Sequence, residues 1–265
     1  MRRLGFLSGV AAALAVPPLL AAADGANGTL RVGLTGDYKP YSYLAPDGTW
    51  SGLDVDIARM LAKERGAELA IVKTSWPSMT ADLVRDAFDL AMGGVSRDDR
   101  RALAGLLSAP YMVDGKVALV RAADRARYRS LDDLDVPPTR VAVNPGGTNE
   151  TFVRTHFTRA RIDVVPTNLS IPGLVADGKD DVMITDGVEA SLAANADARL
   201  AVLDPVHPYT RIEKVYFISK AEPELLAFVN ERIARWERDG TFAALRTRWV
   251  GSNANNPSQR SAASS

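Results

Sequence analysis

Apolar residues recur along this chain in two alternating rhythms. Short apolar runs at residues 30–34, 69–72 and 89–92 have strand length, and helix-period stretches separate them. Leu53, Ile57, Met60 and Leu61 share one helical face, and Gly66 follows as a terminator. Pro77 opens a second helix carrying Leu83, Val84 and Phe88. The order strand–helix–strand–helix–strand predicts a largely parallel sheet. A strand at 117–120 follows. After Pro137 and Pro138 the rhythm starts again. It predicts strands at 140–143, 162–165, 182–184 and 200–203, with helices after 148, over 171–178 and over 188–194. An apolar run at 215–218 precedes two amphipathic helices. Leu225, Val229, Ile233 and Trp236 mark one, and Phe242, Leu245 and Trp249 the other. The expected class is α/β, built as two α/β lobes with a hinge and an interlobe cleft. The predicted boundaries are 28–120 plus 208–250 for lobe one and 121–207 for lobe two.

The two ends fall outside this rhythm. Arg2 and Arg3 precede an apolar, small-residue stretch over 4–20, and Ala21-Ala22-Ala23 offers a cleavage site before Asp24. Residues 1–23 read as a secretory signal peptide cleaved near Ala23, which predicts an exported, periplasmic protein. No later stretch is long and apolar enough to span a bilayer. Residues 251–265 are Ser-, Asn- and Ala-rich with no apolar period and are expected to be a disordered tail.

Composition narrows the chemistry. The 265 residues carry 32 basic and 32 acidic side chains, so charge makes no case for nucleic acid or an anionic membrane. An anionic ligand would have to be held by local groups. Cysteine is absent, which excludes disulfides, thiolate nucleophiles and cysteine-based zinc sites. The two histidines, His156 and His207, have no metal-ligand spacing.

The loops at the predicted strand ends hold the remaining chemistry. Tyr38, Tyr41 and Tyr43 crowd the first loop and suit a ligand wall as well as a packed surface. Trp76 ends the next strand, as a stacking surface or a loop anchor. Gly146 and Gly147 stand at a helix N-terminus, where backbone N–H groups favour an anion. They fit neither a dinucleotide fingerprint nor a P-loop. The run Val182-Met183-Ile184 ends at Thr185 and Asp186, both good helix caps, and Asp186 and Glu189 share a face three residues apart.

Several of these loops together resemble the extracytoplasmic solute-binding proteins for amino acids. The marks are the Gly-x-Tyr-x-Pro-Tyr loop at Gly36, the run 52–56, Arg101 seven residues before Ser108-x-Pro110-Tyr111, the helix start at 147–150, and Asp177-Gly178-Lys179-x-Asp181. The resemblance implies a periplasmic-binding-protein-like fold, with Arg101 and Thr148 holding an α-carboxylate and Asp186 an ammonium. A narrower set also resembles the periplasmic cyclohexadienyl dehydratases: residues 35–43, 74–77, 114–116, 144–150 and Thr185-Asp186-x-x-Glu189-Ala190. Members of that family convert prephenate to phenylpyruvate, and arogenate to phenylalanine, without a cofactor or metal. By this resemblance Glu189 is the general acid, with Lys116 and Asn144 as catalytic partners. Tyr38, Trp76, Ser96, Arg101, Gly147, Thr148 and Asp186 are then the substrate-binding set. The stretch Ser170-Ile171-Pro172-Gly173 departs from the family pattern. The rival expectation is a non-catalytic amino-acid receptor of a transporter. Only the dehydratase needs an acid at Glu189, and that acid works only if burial lifts its pKa toward neutrality.

Overall fold

The structure, a computed structural model, describes residues 28–251. The predicted signal peptide, and all of the predicted tail except Gly251, lie outside the described residues.

Two five-stranded sheets organise the chain. The first runs Glu68–Lys73, Thr29–Leu34, Leu90–Ala91, Phe217–Ile218, Leu106–Leu107. Its first three strands are parallel, and Phe217–Ile218 pairs antiparallel with both neighbours. The second runs Arg161–Val164, Arg140–Val143, Val182–Asp186, Lys116–Arg121, Leu200–Leu203. Here too three parallel strands are followed by antiparallel pairings. Every residue of Val182–Asp186 is buried, as expected of a strand covered on both faces.

Helices cover these sheets where the apolar spacing predicts. Leu53–Arg65 buries Leu53, Ile57, Ala58 and Leu61 against the first sheet, and Gly66 closes it in the left-handed region at φ 69°. Pro223–Arg238 buries Leu225, Val229, Ile233 and Trp236 in the same core, where Phe242 also lies. The second sheet has separate cores on its two faces. Val120, Val141, Phe152 and Ile184 belong to one, and Leu119, Ala142, Met183 and Ala190 to the other.

One predicted boundary is corrected. The strand Lys116–Arg121 was expected to close the first lobe at residue 120, but it lies inside the second sheet between Val182–Asp186 and Leu200–Leu203. The chain changes sheets at Gly115 rather than after residue 120. Met112–Asp114 pairs with Ile212–Lys214 in a two-stranded ribbon on the other side of that change. The outgoing and returning strands touch there. The Tyr209 N–H donates to the Lys116 carbonyl at 2.7 Å, and the Lys116 N–H to Thr210 Oγ1 at 2.9 Å. A Cβ on Gly115 would fall 2.0 Å from the Thr210 carbonyl oxygen, so only glycine fits this double crossing.

Candidate active site

The two lobes are closed on each other. Tyr38 OH donates to Asp186, the Asn168 amide nitrogen donates to the Asp37 carbonyl at 3.1 Å, and Arg100 reaches Thr151 Oγ1 at 3.0 Å. Between the lobes lies a cavity lined by Tyr38, Trp76, Gly94, Ser96, Arg101, Asn144, Gly147, Thr148, Asn149, Asn168 and Asp186. Its free space is about 20 Å³, room for little more than a water molecule. Any ligand larger than water therefore needs the lobes to part and re-close around it.

Asp186 is the hub. Lys116 Nζ lies 2.7 Å from its Oδ1 and Lys214 Nζ 2.6 Å from its Oδ2, and all three side chains are buried. Burial alone would favour the neutral acid, but the two ammonium groups overcome it and hold Asp186 well below the usual carboxylate range. Burial pulls the Lys116 ammonium below the usual lysine range, and Asp186 opposes that pull. Lys116 also donates to Thr148 Oγ1 at 2.9 Å and to the Asn149 side-chain oxygen, while Lys214 donates to Ser96 Oγ at 3.0 Å and the Gly94 carbonyl at 3.2 Å. The sequence offers Asp186 either as a helix cap or as a substrate-binding group. Its side chain makes no capping bond to the helix Gly187–Ala196, because both oxygens face the lysines. Asp114 caps that helix instead, from the neighbouring crossing segment.

Glu189 sits on the first turn of the same helix, 6 % exposed, one layer behind the cavity wall. Its Oε1 accepts from Asn168 Nδ2 at 2.6 Å, and its Oε2 is in contact with the Thr185 hydroxyl. Burial raises its pKa to about 8; the bonds from Thr185 and Asn168 resist, and the Asp186 charge adds to the rise. The carboxyl is thus mostly protonated at neutral pH.

Arg101 is buried on the helix Asp99–Ala104, with NH1 donating to the Ser96 carbonyl at 2.6 Å and lying 3.4 Å from Asp98 Oδ2. The residue lines the cavity. Across the space, the Asn149 amide donates to Asn144 Oδ1 at 3.2 Å and to Thr185 Oγ1 at 3.4 Å. Trp76 is tied by its indole N–H to Asp37 Oδ1 at 3.2 Å, and its ring meets that of Tyr38 edge-on at 5.5 Å. Of the three tyrosines in the first loop only Tyr38 lines the cavity. Tyr41 is core, fully buried and stacked on Tyr38 with ring centroids 5.1 Å apart.

Eight of the ten residues singled out from sequence line the cavity: Tyr38, Trp76, Ser96, Arg101, Asn144, Gly147, Thr148 and Asp186. Lys116 and Glu189 stand behind it, each bonded to residues that line it. The expected anion cradle at the glycine pair is smaller than foreseen, because the Gly146 N–H is already donated to Glu150 Oε2 at 2.6 Å. Three participants were missed: Lys214, Asn149 and Asn168. Asn149 stands in the singled-out loop and could have been included. Lys214 is a charge directly before the buried run Val215-Tyr216-Phe217-Ile218, a signal that a charged group is being carried into a core. Asn168 lies in a short 3₁₀ turn that leaves no periodic trace. Among the described residues, no cluster of His, Asp and Glu has the arrangement of a metal site.

Comparison with known proteins agrees with this architecture. Residues 30–252 match the bacterial extracellular solute-binding proteins, family 3. A cyclohexadienyl dehydratase of Pseudomonas aeruginosa is 38% identical over 224 residues, 84% of this chain and 83% of that protein. The structure of an ancestral amino-acid-binding protein, AncCDT-1, a precursor of cyclohexadienyl dehydratase, superposes with a TM-score of 0.79 at 33% identity, covering 84% of this chain and 96% of the other. An ancestral cyclohexadienyl dehydratase is 46% identical, with a TM-score of 0.52 over 84% of this chain and 92% of the other. The two-lobed fold is that of the periplasmic binding proteins, and the chain belongs to family 3 of the bacterial extracellular solute-binding proteins.

Proposed function

We propose that this protein is a cyclohexadienyl dehydratase, a cofactor-independent lyase exported to the periplasm, which takes prephenate and arogenate. One observation carries the reading above all. A carboxyl group that stays protonated to about pH 8 is held beside the interlobe cavity, on a scaffold otherwise suited to binding. Reversible binding of a ligand does not call for a protonated acid at the cavity. An enzyme that expels hydroxide does, because hydroxide leaves poorly until it is protonated. The 38% identity to a cyclohexadienyl dehydratase supports the same reading.

The charges fit the substrate. Lys116 and Lys214 face Asp186, and Arg101, 3.4 Å from Asp98, lines the cavity as a cation for a ligand carboxylate. Arg101 suits the carboxylate that is kept, through paired N–H donors. The departing carboxylate loses its charge in the transition state and gains nothing from a tight grip. Tyr38 and Trp76 pack beside the ring and exclude water.

In the reaction, Glu189 gives its proton to the ring hydroxyl and the C–O bond breaks to release water. The bond from the ring to its carboxylate breaks at the same time. Its electron pair enters the ring, which becomes aromatic, and carbon dioxide leaves. Glu189 ends as a carboxylate and regains its proton from solvent when the lobes open. Lys116 steadies Asp186 and Thr148 at the cavity wall, and Asn144 orients Asn149.

A second reading, an amino-acid receptor, draws on the likeness to the ancestral amino-acid-binding protein. It would need Asp186 free to accept a ligand ammonium, yet both Asp186 oxygens already take lysine donors. The deciding experiment incubates the purified mature protein with prephenate and follows phenylpyruvate. Turnover that collapses in Glu189→Gln, with prephenate still bound, supports the enzyme. No product from either prephenate or arogenate, together with a melting temperature raised by an amino acid, transfers the assignment to the receptor.

A further inference from the structure

Asn168 occupies an unusual position. It is almost fully buried and lines the cavity, and its amide nitrogen serves two partners at once: Glu189 Oε1 at 2.6 Å and the Asp37 carbonyl of the opposite lobe at 3.1 Å. The Asp37 carbonyl can only accept, so this pairing fixes which end of the amide is nitrogen. The other end, Oδ1, is buried and has no hydrogen-bond partner. Native proteins seldom leave a buried carbonyl oxygen without a donor unless a ligand or water supplies one.

The remaining amide and carboxylate oxygens of the cavity wall are taken. Asn144 Oδ1 accepts from Asn149, Asn149 Oδ1 from Lys116, and the two oxygens of Asp186 from the lysines. Oδ1 of Asn168 is the side-chain carbonyl acceptor left for a ligand, and it belongs to the amide that grips the acid.

We propose that Asn168 positions the leaving hydroxyl: its Oδ1 accepts the proton of the ligand's ring hydroxyl while its Nδ2 holds Glu189 Oε1. This rests on the dehydratase reading and deepens it. Oε1 accepts from Nδ2, and Oε2 faces the Thr185 hydroxyl, which can turn to accept; the acid's own proton therefore resides on Oε2. A ring hydroxyl that donates to Oδ1 keeps its lone pairs free for that proton. As the C–O bond breaks, the departing water carries two O–H groups, and Oδ1 receives the original one. No atom beyond those of ligand and Glu189 is needed to balance the step. The bond to Asp37 exists only when the lobes are shut, so closure itself sets the amide and with it the acid.

The test compares Asn168→Ala with wild type in turnover and in binding. Loss of positioning should lower kcat about 10²-fold and, with the bond to the ring hydroxyl gone, raise KM about tenfold. The Nδ2 bond also favours ionised Glu189, so the high-pH limb of kcat should move upward in Asn168→Ala, which a merely structural defect would not produce. Binding is read by calorimetry in the Glu189→Gln background, where turnover is blocked. Adding Asn168→Ala should weaken prephenate by about tenfold or more and leave phenylpyruvate, which has no ring hydroxyl, unchanged. Equal weakening of both ligands, or an unmoved pH limb with unchanged kcat, overturns the proposal. If wild type binds prephenate without turning it over, the dehydratase reading falls and the affinity comparison still decides the role of Asn168. Binding of neither ligand defeats both.

Discussion

Asp114 caps the helix in front of which Asp186 stands. Asp114 Oδ1 accepts the Gly187 N–H at 3.0 Å and Oδ2 the Val188 N–H at 3.2 Å, so Asp186 is released from the capping duty its position suggests. The released carboxylate is what draws Lys116 and Lys214 to the cleft. Asp114→Ala should cost about 1–2 kcal/mol in urea unfolding, the worth of an N-cap. Asp114→Asn, which keeps one acceptor oxygen, should recover about half. Equal loss in both variants would show that charge, not capping, gives Asp114 its value.

Lys214 holds Asp186 from the side opposite Lys116 and is fully buried. Removing one partner of a buried pair typically costs about 3–5 kcal/mol, because the other charge stays behind. Asp186 keeps Lys116 and Tyr38, so Lys214→Met should fall at the low end of that range. The change also removes one of the two donors to Asp186 Oδ2 and leaves Tyr38 as the other. Amino acids, whose ammonium can take the lysine's place, should then raise the melting temperature of the variant more than that of wild type. A thermal-shift series with arginine and lysine as ligands reads this directly, and equal shifts in the two proteins would count against it.

Much of this architecture is legible in the sequence, and the exceptions have physical causes. The helix at 223–238 could be read in full because its apolar residues fall on one face. The helix after Pro77 could not. Leu83 is buried, but Val84 is 66 % exposed and the helix ends there, while Phe88 is buried from a non-helical position under Gly33. The spacing of Leu83, Val84 and Phe88 does not say which of them turn inward. The strand at 116–121 was recognised as a strand but given to the wrong sheet, because apolar runs carry no information about their partners. The cleft residues in loops were found through a family pattern. Lys214 and Asn168 matter through contacts 28 and 21 positions away in sequence, which no local rhythm encodes.

Glu189 should leave a signature in pH dependence. Its carboxyl titrates at about 8 when folded, against 4.5 for the unperturbed group. The folded state therefore binds the extra proton between those values. This contribution to stability is intact below pH ~4.5 and is lost as pH rises toward 8, at up to about 1.4 kcal/mol per unit. Wild type minus Glu189→Gln, measured by urea unfolding across that window, should show this falling slope. Above pH ~8 the acid loses its proton, and kcat should drop about tenfold per further unit. A variant difference flat between pH 5 and 8 would mean that Glu189 is ionised throughout, and the general-acid assignment would go with it.

Closure itself can be weakened at one position. Gly146 lies in the left-handed region at φ 80°, and a Cβ there would fall 2.5 Å from the Pro77 nitrogen and 2.6 Å from its Cα, atoms of the opposite lobe. Both neighbours are backbone, so they cannot step aside as a flexible side chain would. Gly146→Ala thus combines a strained backbone, costing about 1 kcal/mol, with an interlobe clash. The clash vanishes when the lobes separate, so the variant should fold and rest open. Small-angle scattering should report a larger radius of gyration than for ligand-free wild type. Because Tyr38 meets Asp186, and Asn168 meets Asp37, only in the closed form, kcat/KM should fall about 10²-fold, while the chemical competence of Glu189, seen in an unchanged pKa from the kcat profile, persists. A variant as compact and as active as wild type would mean that the contact between Pro77 and Gly146 does not govern closure.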